Sequence, residues 1–531
     1  MKSTREFTWP VAPDWAVRCA ITPLKSLVVL VDVATGWPSL RRSRLSDTQV
    51  WIIAEKEVAE NIRNFKAPAA FLLLLGLIMT SSFLMSLDYQ KRLDNWAANR
   101  DAQSDKLFSG VTSNYRSVDN QMSMSARSLG PEPVLRKPLA LSIFAKGLDS
   151  VMERAVNIGA HPTVEPAIGI EFGAAQEQNR SINMFAPPDF LYIVKIILAL
   201  LALFFTYDTL VGEKEMGTLK VMMSCGAQRR IILLGKWVGA TLSLALPFLI
   251  AALFGLVYLT AVRDFAFETV EWARIGLVII ASLLYGLVFV SLGLMLSAWA
   301  STRKQAIAVA LSAWVVLVMV IPNITSLVAR WGKPLPTLVE HNTSLVPAAR
   351  QIEDEAKAAS GEGGFPFPGY GLHYESSAPR LRQMAKQADD AYIARKLECD
   401  RFARLIARLS PAGAISYSVT DLTGTGISEF QSYVARLQQA RNRQIELAEE
   451  RANQMSVKIA NEEEQRTADA KLKEFFEKGK QLQKELYESM LIARSPVEAI
   501  NDALPDLGTL VVWSAVMFVL AALTFNRADV R

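Results

Sequence analysis

The chain has 531 residues, of which 51% are hydrophobic and 21% charged, and a mean hydropathy of +0.20. That is too apolar for an ordinary soluble protein and too charged to lie wholly in lipid, so the composition points to a membrane protein with sizeable aqueous parts. The formal net charge of +5 is small for this length, and no basic stretch is interleaved with aromatic residues as a base-stacking surface would be, so nucleic acid is set aside as a partner.

Residues 1–50 carry Trp9, Trp15 and Trp37, several prolines and one apolar run, residues 27–31. That run falls far short of the ~20 residues a spanning helix needs. The segment does not read as a signal peptide, because charged residues and Trp-Pro come first and no small-residue cleavage pattern follows. Arg41, Arg42 and Arg44 suit either a contact with anionic lipid or a solvated loop. Over 51–66, Trp51, Ile52, Ile53, Val58, Ile62 and Phe65 set against Glu55, Lys56, Glu57, Glu60 and Arg63 predict an amphipathic elbow helix lying in the membrane interface.

Six apolar runs follow, at 67–87, 188–206, 233–261, 275–300, 305–328 and 507–525, each near or above the length that crosses ~30 Å of hydrocarbon. An even number of spans puts both termini on one side. The link 207–236 and the tight turn 301–304 are basic, whereas the connection 262–274 balances Arg263 and Arg274 with Asp264, Glu268 and Glu271. The positive-inside rule therefore predicts that the link, Arg303, Lys304, the tail 526–531 and both termini are cytoplasmic. Cys19 and Cys225 then fall on one side and Cys399 on the other, which excludes a disulfide between them; Cys399 is left as a free or intermolecular thiol or a small buried residue.

Two long insertions, 88–187 and 329–506, are expected outside the cytoplasm. The first, with a polar start, a Gly-Pro-Glu-Pro break at 130–133, a helix-like 139–156 and a short strand near 167–172, predicts an α+β domain. The second predicts a mainly helical domain: Leu381, Met384, Ala388, Tyr392, Phe402, Leu405, Ile406 and Leu409 are spaced for one buried face, and Pro411 stops that helix. After a glycine-rich turn at 424–426, a helical stretch covers 428–491, on the order of 95 Å if unbroken. Its middle, 449–471, has few large apolar residues, which suits a solvated helix, a kink or a hairpin. Residues 357–379, rich in Gly, Pro and Ser, read as a linker.

The link itself concentrates Asp208, Glu213, Lys214, Glu215, Lys220, Arg229, Arg230 and Lys236 at one membrane face. Met216, Leu219, Met222 and Met223 recur at helical spacing, with Glu213 and Glu215 near the N-terminal turn where acidic groups complement the helix dipole. Spacing alone fits a docking helix and an ordinary charged loop equally well.

No Gly-x-x-x-x-Gly-Lys-[Ser/Thr] occurs, since Gly235-Lys236 lacks both the upstream glycine and the following hydroxyl residue. His-Glu-x-x-His, Gly-x-Ser-x-Gly and Cys-x-x-Cys are absent too, and His161, His341 and His373 have no ligand spacing. The chain is therefore expected to have no catalytic residues, no metal and no bound cofactor. Lys195 alone is ionisable within the central part of a span, two turns inside the outer boundary, where it either snorkels to the interface or serves a substrate or pairing role. A proton- or sodium-coupled carrier would place carboxylates at mid-membrane.

Gly212-Glu213-Lys214-Glu215-x-Gly217-Thr218-Leu219, followed by Arg229-Arg230 and Leu233-Leu234-Gly235-Lys236, resembles the signature of ABC-2 type transporter permeases. Leu141-Ser142-Ile143 with Gly147-Leu148, Val320-Ile321-Pro322-Asn323, and Ser410-Pro411-Ala412 with Gly424-Thr425-Gly426 are similar to a branch with two large extracytoplasmic insertions, like the permeases of nitrous-oxide-reductase maturation systems. The likeness covers roughly residues 51–531, and its specific part is the Gly-Glu-x-Glu motif. It implies an α-helical polytopic protein of the bacterial inner membrane, forming a homodimer or heterodimer. It also implies a cytoplasmic ABC ATPase subunit that holds ATP and Mg²⁺ and docks on Asp208, Gly212, Glu213, Lys214, Glu215, Gly217, Thr218 and Leu219. Ala54-Glu55-Lys56-Glu57 resembles the opening of the family's elbow helix and is a candidate second contact. Export of a substrate and mechanical action on a periplasmic partner protein both remain open. The rival from another class is an ATP-independent, membrane-anchored envelope sensor or scaffold.

Overall fold

The computed structural model describes residues 44–115, 132–134, 136–149, 156–158, 171–172, 188–224, 226–334, 347, 350–351, 372–439 and 494–527. The expectations for residues 1–43 and for most of the 428–491 stretch, from 440 onward, lie outside the described residues.

Among the described residues six helical segments are long and apolar enough to cross a membrane: Lys66–Ala98, Phe190–Glu215, Arg229–Val262, Thr269–Trp299, Arg303–Gly332 and Pro496–Arg527. Each overlaps one of the six expected runs. Helix α1 (Arg44–Arg63) precedes them and is separated from α2 (Lys66–Tyr115) at Phe65, whose φ of +55° turns the chain sharply into the first span. The second span is built from α3 (Phe190–Ile193), a π-helical turn at Val194–Leu198 and α4 (Ala199–Thr206). The third is α7 (Arg229–Val257), with two short helices of the link, α5 (Val211–Glu215) and α6 (Thr218–Ser224), before it. The fourth is α8 (Thr269–Trp299), opened by a capping box between Glu268 and Glu271. The fifth joins α9 (Arg303–Trp314) to α10 (Ile321–Gly332) through a π-helical turn at Val315–Val320.

Beyond them lie α11 (Leu372–Ala407), α12 (Pro411–Thr423), a helical stretch at 427–439 and α13 (Pro496–Arg527), which is the sixth span. Helix α8 is central, packing on α13, α4 and α12, and contributes the fully buried Ala281, Tyr285 and Phe289 to the core. Where no water is available, hydroxyl groups turn back on their own helix: Ser243 donates to the Gly239 carbonyl (2.9 Å) and Ser282 to the Val278 carbonyl (2.8 Å).

Several local expectations are corrected. Of the helix predicted over 139–156, residues 140–143 form a 3₁₀ turn, Asp149 is helical and Val156 opens the strand β2, while residues 150–155 lie outside the described residues. Gly147, with φ of +45°, lets Leu148 N–H reach the Thr425 carbonyl (2.8 Å) instead of continuing a helix. Strand β2 (Val156–Ile158) lies between β1 (Glu132–Val134) and β3 (Glu171–Phe172), both antiparallel to it, with Val156 opposite Val134 and Phe172. Residues 372–379, read as linker, begin α11. Leu405 and Leu409, expected on its buried face, are 58% and 63% exposed, because α11 ends at Ala407 and Pro411 starts α12 as a separate helix capped by Ser410.

At the end of the bundle away from the link, charges tie these helices to the sixth span. Arg404 donates to Asp421 (2.6 Å) and to Asp506, and Arg408 to Asp506 (2.5 Å), all within the packing of α11, α12 and α13. Asp421 is almost wholly buried, and desolvation pushes its carboxyl up to about 6 despite Arg404.

Candidate functional site

The link is not one amphipathic helix. Helix α5 starts where Ser297 of α8 accepts hydrogen bonds from the N–H groups of Leu210 (3.0 Å) and Val211 (3.1 Å), two donors that a helix start leaves without intrahelical partners. It stops at Gly217, whose φ of +73° belongs to the left-handed region. The chain then restarts as α6, so the expected methionine stripe is split. Leu219 is fully buried, while Met216 and Val221 are 59% and 63% exposed.

The acidic residues of the link divide in the same way. Asp208 receives Lys66 Nζ at 2.8 and 2.9 Å, and that ammonium also lies over the rings of Phe204 and Tyr207. Glu213 turns inward and is buried; Oε1 accepts from Lys236 (3.0 Å) and Lys56 (3.2 Å), while Oε2 has no hydrogen-bond partner. Glu215 stays at the rim, pairing with the side chain of Arg303 (3.3 Å) and accepting from its N–H (2.9 Å). Lys214 donates to the Ala298 carbonyl, Arg303 reaches the Gly212 carbonyl (3.4 Å), and Thr218 donates to the Glu213 carbonyl (3.4 Å). The link is thus fastened to the ends of four spans while Glu215, Met216, Thr218, Lys220 and Val221 face outward.

Helix α1 lies against the same place, and its orientation reverses a naive hydrophobic reading. Trp51, Ile52 and Ile62 are exposed, as suits an interfacial helix, and the buried stripe is Ala54, Glu57 and Asn61. That stripe meets small residues on α7. A Cβ added at Gly239 would lie 2.9 Å from the Ala54 carbonyl oxygen and 2.7 Å from Glu57 Cβ, so only glycine allows this approach. Asn61 donates to Ser243 (3.1 Å). Of the candidate second contact, Glu55 and Lys56 face outward and Glu57 faces in, accepting from Lys236 at 3.1 Å.

Lys195 does not join this site. It lies in the π-helical turn of the second span, where its backbone carbonyl accepts from Tyr285 (2.8 Å) and its charge acts on Asp189. Burial raises the Asp189 carboxyl, against the N–H groups of Lys146 and Tyr192 that it accepts. Among the described residues no group of His, Cys, Asp and Glu is arranged to hold a metal ion. An apolar cleft of about 410 Å³ lies beside Lys66, lined by Leu73, Phe204, Tyr207, Ile307 and Leu311 of the first, second and fifth spans.

Two functional residues escaped the sequence reading: Lys236, grouped there with the link charges, and Ser297, an ordinary serine of an apolar run. The Gly235-x-x-x-Gly239 spacing around Lys236 was the available signal, because small residues four apart on one helix face let another helix approach closely.

Among the described residues, six helical segments long and apolar enough to cross a membrane, with a short link pinned to their ends, define an α-helical polytopic membrane protein. The chain belongs to the family described as ABC-2 family transporter protein, whose profile matches residues 51–340. It is 36% identical over 131 residues to the protein described as "Probable ABC transporter permease protein NosY" of Stutzerimonas stutzeri, and 33% identical over 127 residues to the protein of the same description from Pseudomonas aeruginosa. Each alignment covers 24% of this chain and 46% of the relative, so the chain spans about half the length of the curated relatives it matches.

Proposed function

We propose that this chain is the permease subunit of an ATP-driven ABC-2 type transporter of the bacterial inner membrane, converting the movement of a separate ATPase subunit into movement of its spans. The reading is carried by the link: its backbone is pinned to the span ends by Ser297, Arg303 and Lys236, while Glu215, Met216, Lys220 and Val221 are exposed. The family supports the same conclusion. ATP and Mg²⁺ are held by the partner. Link, α1 and both termini face the cytoplasm, and the α+β segment 88–187 and the helical segment 329–506 lie outside, where they meet a periplasmic partner if the output is mechanical.

A six-span subunit is half of a transporter, so the permease pairs with a second permease chain. The fifth span suits that role, since only 17% of its most apolar window is buried within the protomer. Docking is tested by placing a photoreactive residue at Val221 or Leu219 in nanodisc-embedded protein and adding a candidate ABC ATPase subunit from the same organism. Crosslinking from exposed Val221 but not from buried Leu219 is expected; no crosslink from Val221 contradicts the docking face.

A further inference from the structure

Lys236 sits two turns into the third span and is 2% exposed. Its Nζ is within 3.0–3.1 Å of three acceptors that come from three different elements: Glu57 of α1, Glu213 of α5, and the Thr209 carbonyl in the turn that ends the second span. Among the described residues the other charge paired into the cluster is Lys56, 55% exposed, so Lys236, Lys56, Glu57 and Glu213 sum to zero. The backbone has been shaped to permit this, because Gly235 and Gly239 flank the lysine and bring α1 close enough for Glu57 to reach it.

Ordinary topology would place a lysine at this end of a span pointing outward to headgroups. Here it points inward, and burial raises the cost of any geometry in which one of its acceptors moves away. We propose that Lys236 is a positioning residue that locks the interfacial helix α1, the link and the third span into one lever, so that a displacement imposed on the link moves all three together. Its use in transport rests on the function proposed above. The lever itself does not, and it is tested without any ATPase.

The experiment uses the full chain in nanodiscs, with Cys19, Cys225 and Cys399 replaced by serine and spin labels at Ile52→Cys on α1 and Met216→Cys on the link, both exposed positions. Pulsed dipolar EPR reads the distance between them. The parent is expected to give one narrow distribution, retained in Lys236→Arg. Lys236→Met leaves two buried carboxylates and is expected to be strongly destabilised, so the decisive variant is Lys236→Met/Glu57→Gln/Glu213→Gln, in which no buried charge is stranded. With monodispersity and thermal midpoint near the parent's, that variant is expected to at least double the width of the distribution. A distribution as narrow as the parent's in the folded triple variant overturns the proposal, as does failure of Lys236→Arg to keep it narrow.

Discussion

Lys236 Nζ and Glu213 Oε1 lie 3.0 Å apart in a site where both side chains are more than nine-tenths buried. One residue opens the third span and the other belongs to the link, so the pair carries the junction between the membrane bundle and the face proposed to meet the ATPase. Truncating one partner of such a pair strands the other charge, which typically costs about 3–5 kcal/mol. Lys236→Met is therefore expected to lower the thermal midpoint sharply in detergent or nanodiscs, and Glu213→Gln less so, because Lys236 keeps Glu57 and the Thr209 carbonyl.

Glu215 behaves oppositely. It is at the surface and its partner Arg303 is 44% exposed, so the ion pair is screened by water. Glu215→Lys is expected to change stability by no more than about 0.5 kcal/mol. Its effect is expected on ATPase affinity, measured by titration of the embedded protein with the ATPase subunit.

Gly239 is the contact point of α1 and α7. Gly239→Val forces its side chain against the Ala54 backbone, and overpacking of this kind typically costs about 1–3 kcal/mol. Gly76→Ala, on a face of α2 with nothing within 4 Å of the new Cβ, is expected to be neutral or slightly stabilising. Thermal unfolding of the two variants side by side checks the difference.

Asp421 gives the end of the bundle away from the link a pH signature. Its carboxyl, at about 6 in the fold against an ordinary 3.8, holds a proton that the unfolded chain has already released, because desolvation, helped by Asp502 and Asp506, outweighs the opposing charge of Arg404. Stability contributed by the protonated form is thus present below pH 3.8, falls as pH rises towards 6, and is flat above. Asp421→Asn is expected to flatten the midpoint-against-pH profile between 4 and 6; an unchanged slope would show that another group sets it.

The six candidate spans were legible because lipid imposes a length and a hydropathy on each. The link was located by its motif, but its internal arrangement was not. Whether Glu213 or Glu215 faces outward depends on Gly217 breaking the helix and on Ser297 and Lys236 arriving from elements 84 or more and 23 residues away respectively. Helix α12 was hidden for a related reason: its apolar residues, Ala412, Ala414, Ile415 and Val419, are buried nearly all round, so no periodic contrast marks it. Leu405 and Leu409 had the right spacing for a core, yet spacing cannot say which neighbour a face will find.

The most direct test of the permease reading is the ATPase activity of a candidate ABC ATPase subunit from the same organism, measured with and without the nanodisc-embedded chain and with its Glu215→Lys variant. The account predicts that the parent chain changes the rate of hydrolysis and that the variant, equally well folded, abolishes the change. A rate indifferent to the parent chain, with the fold intact, would contradict it and favour the ATP-independent envelope scaffold.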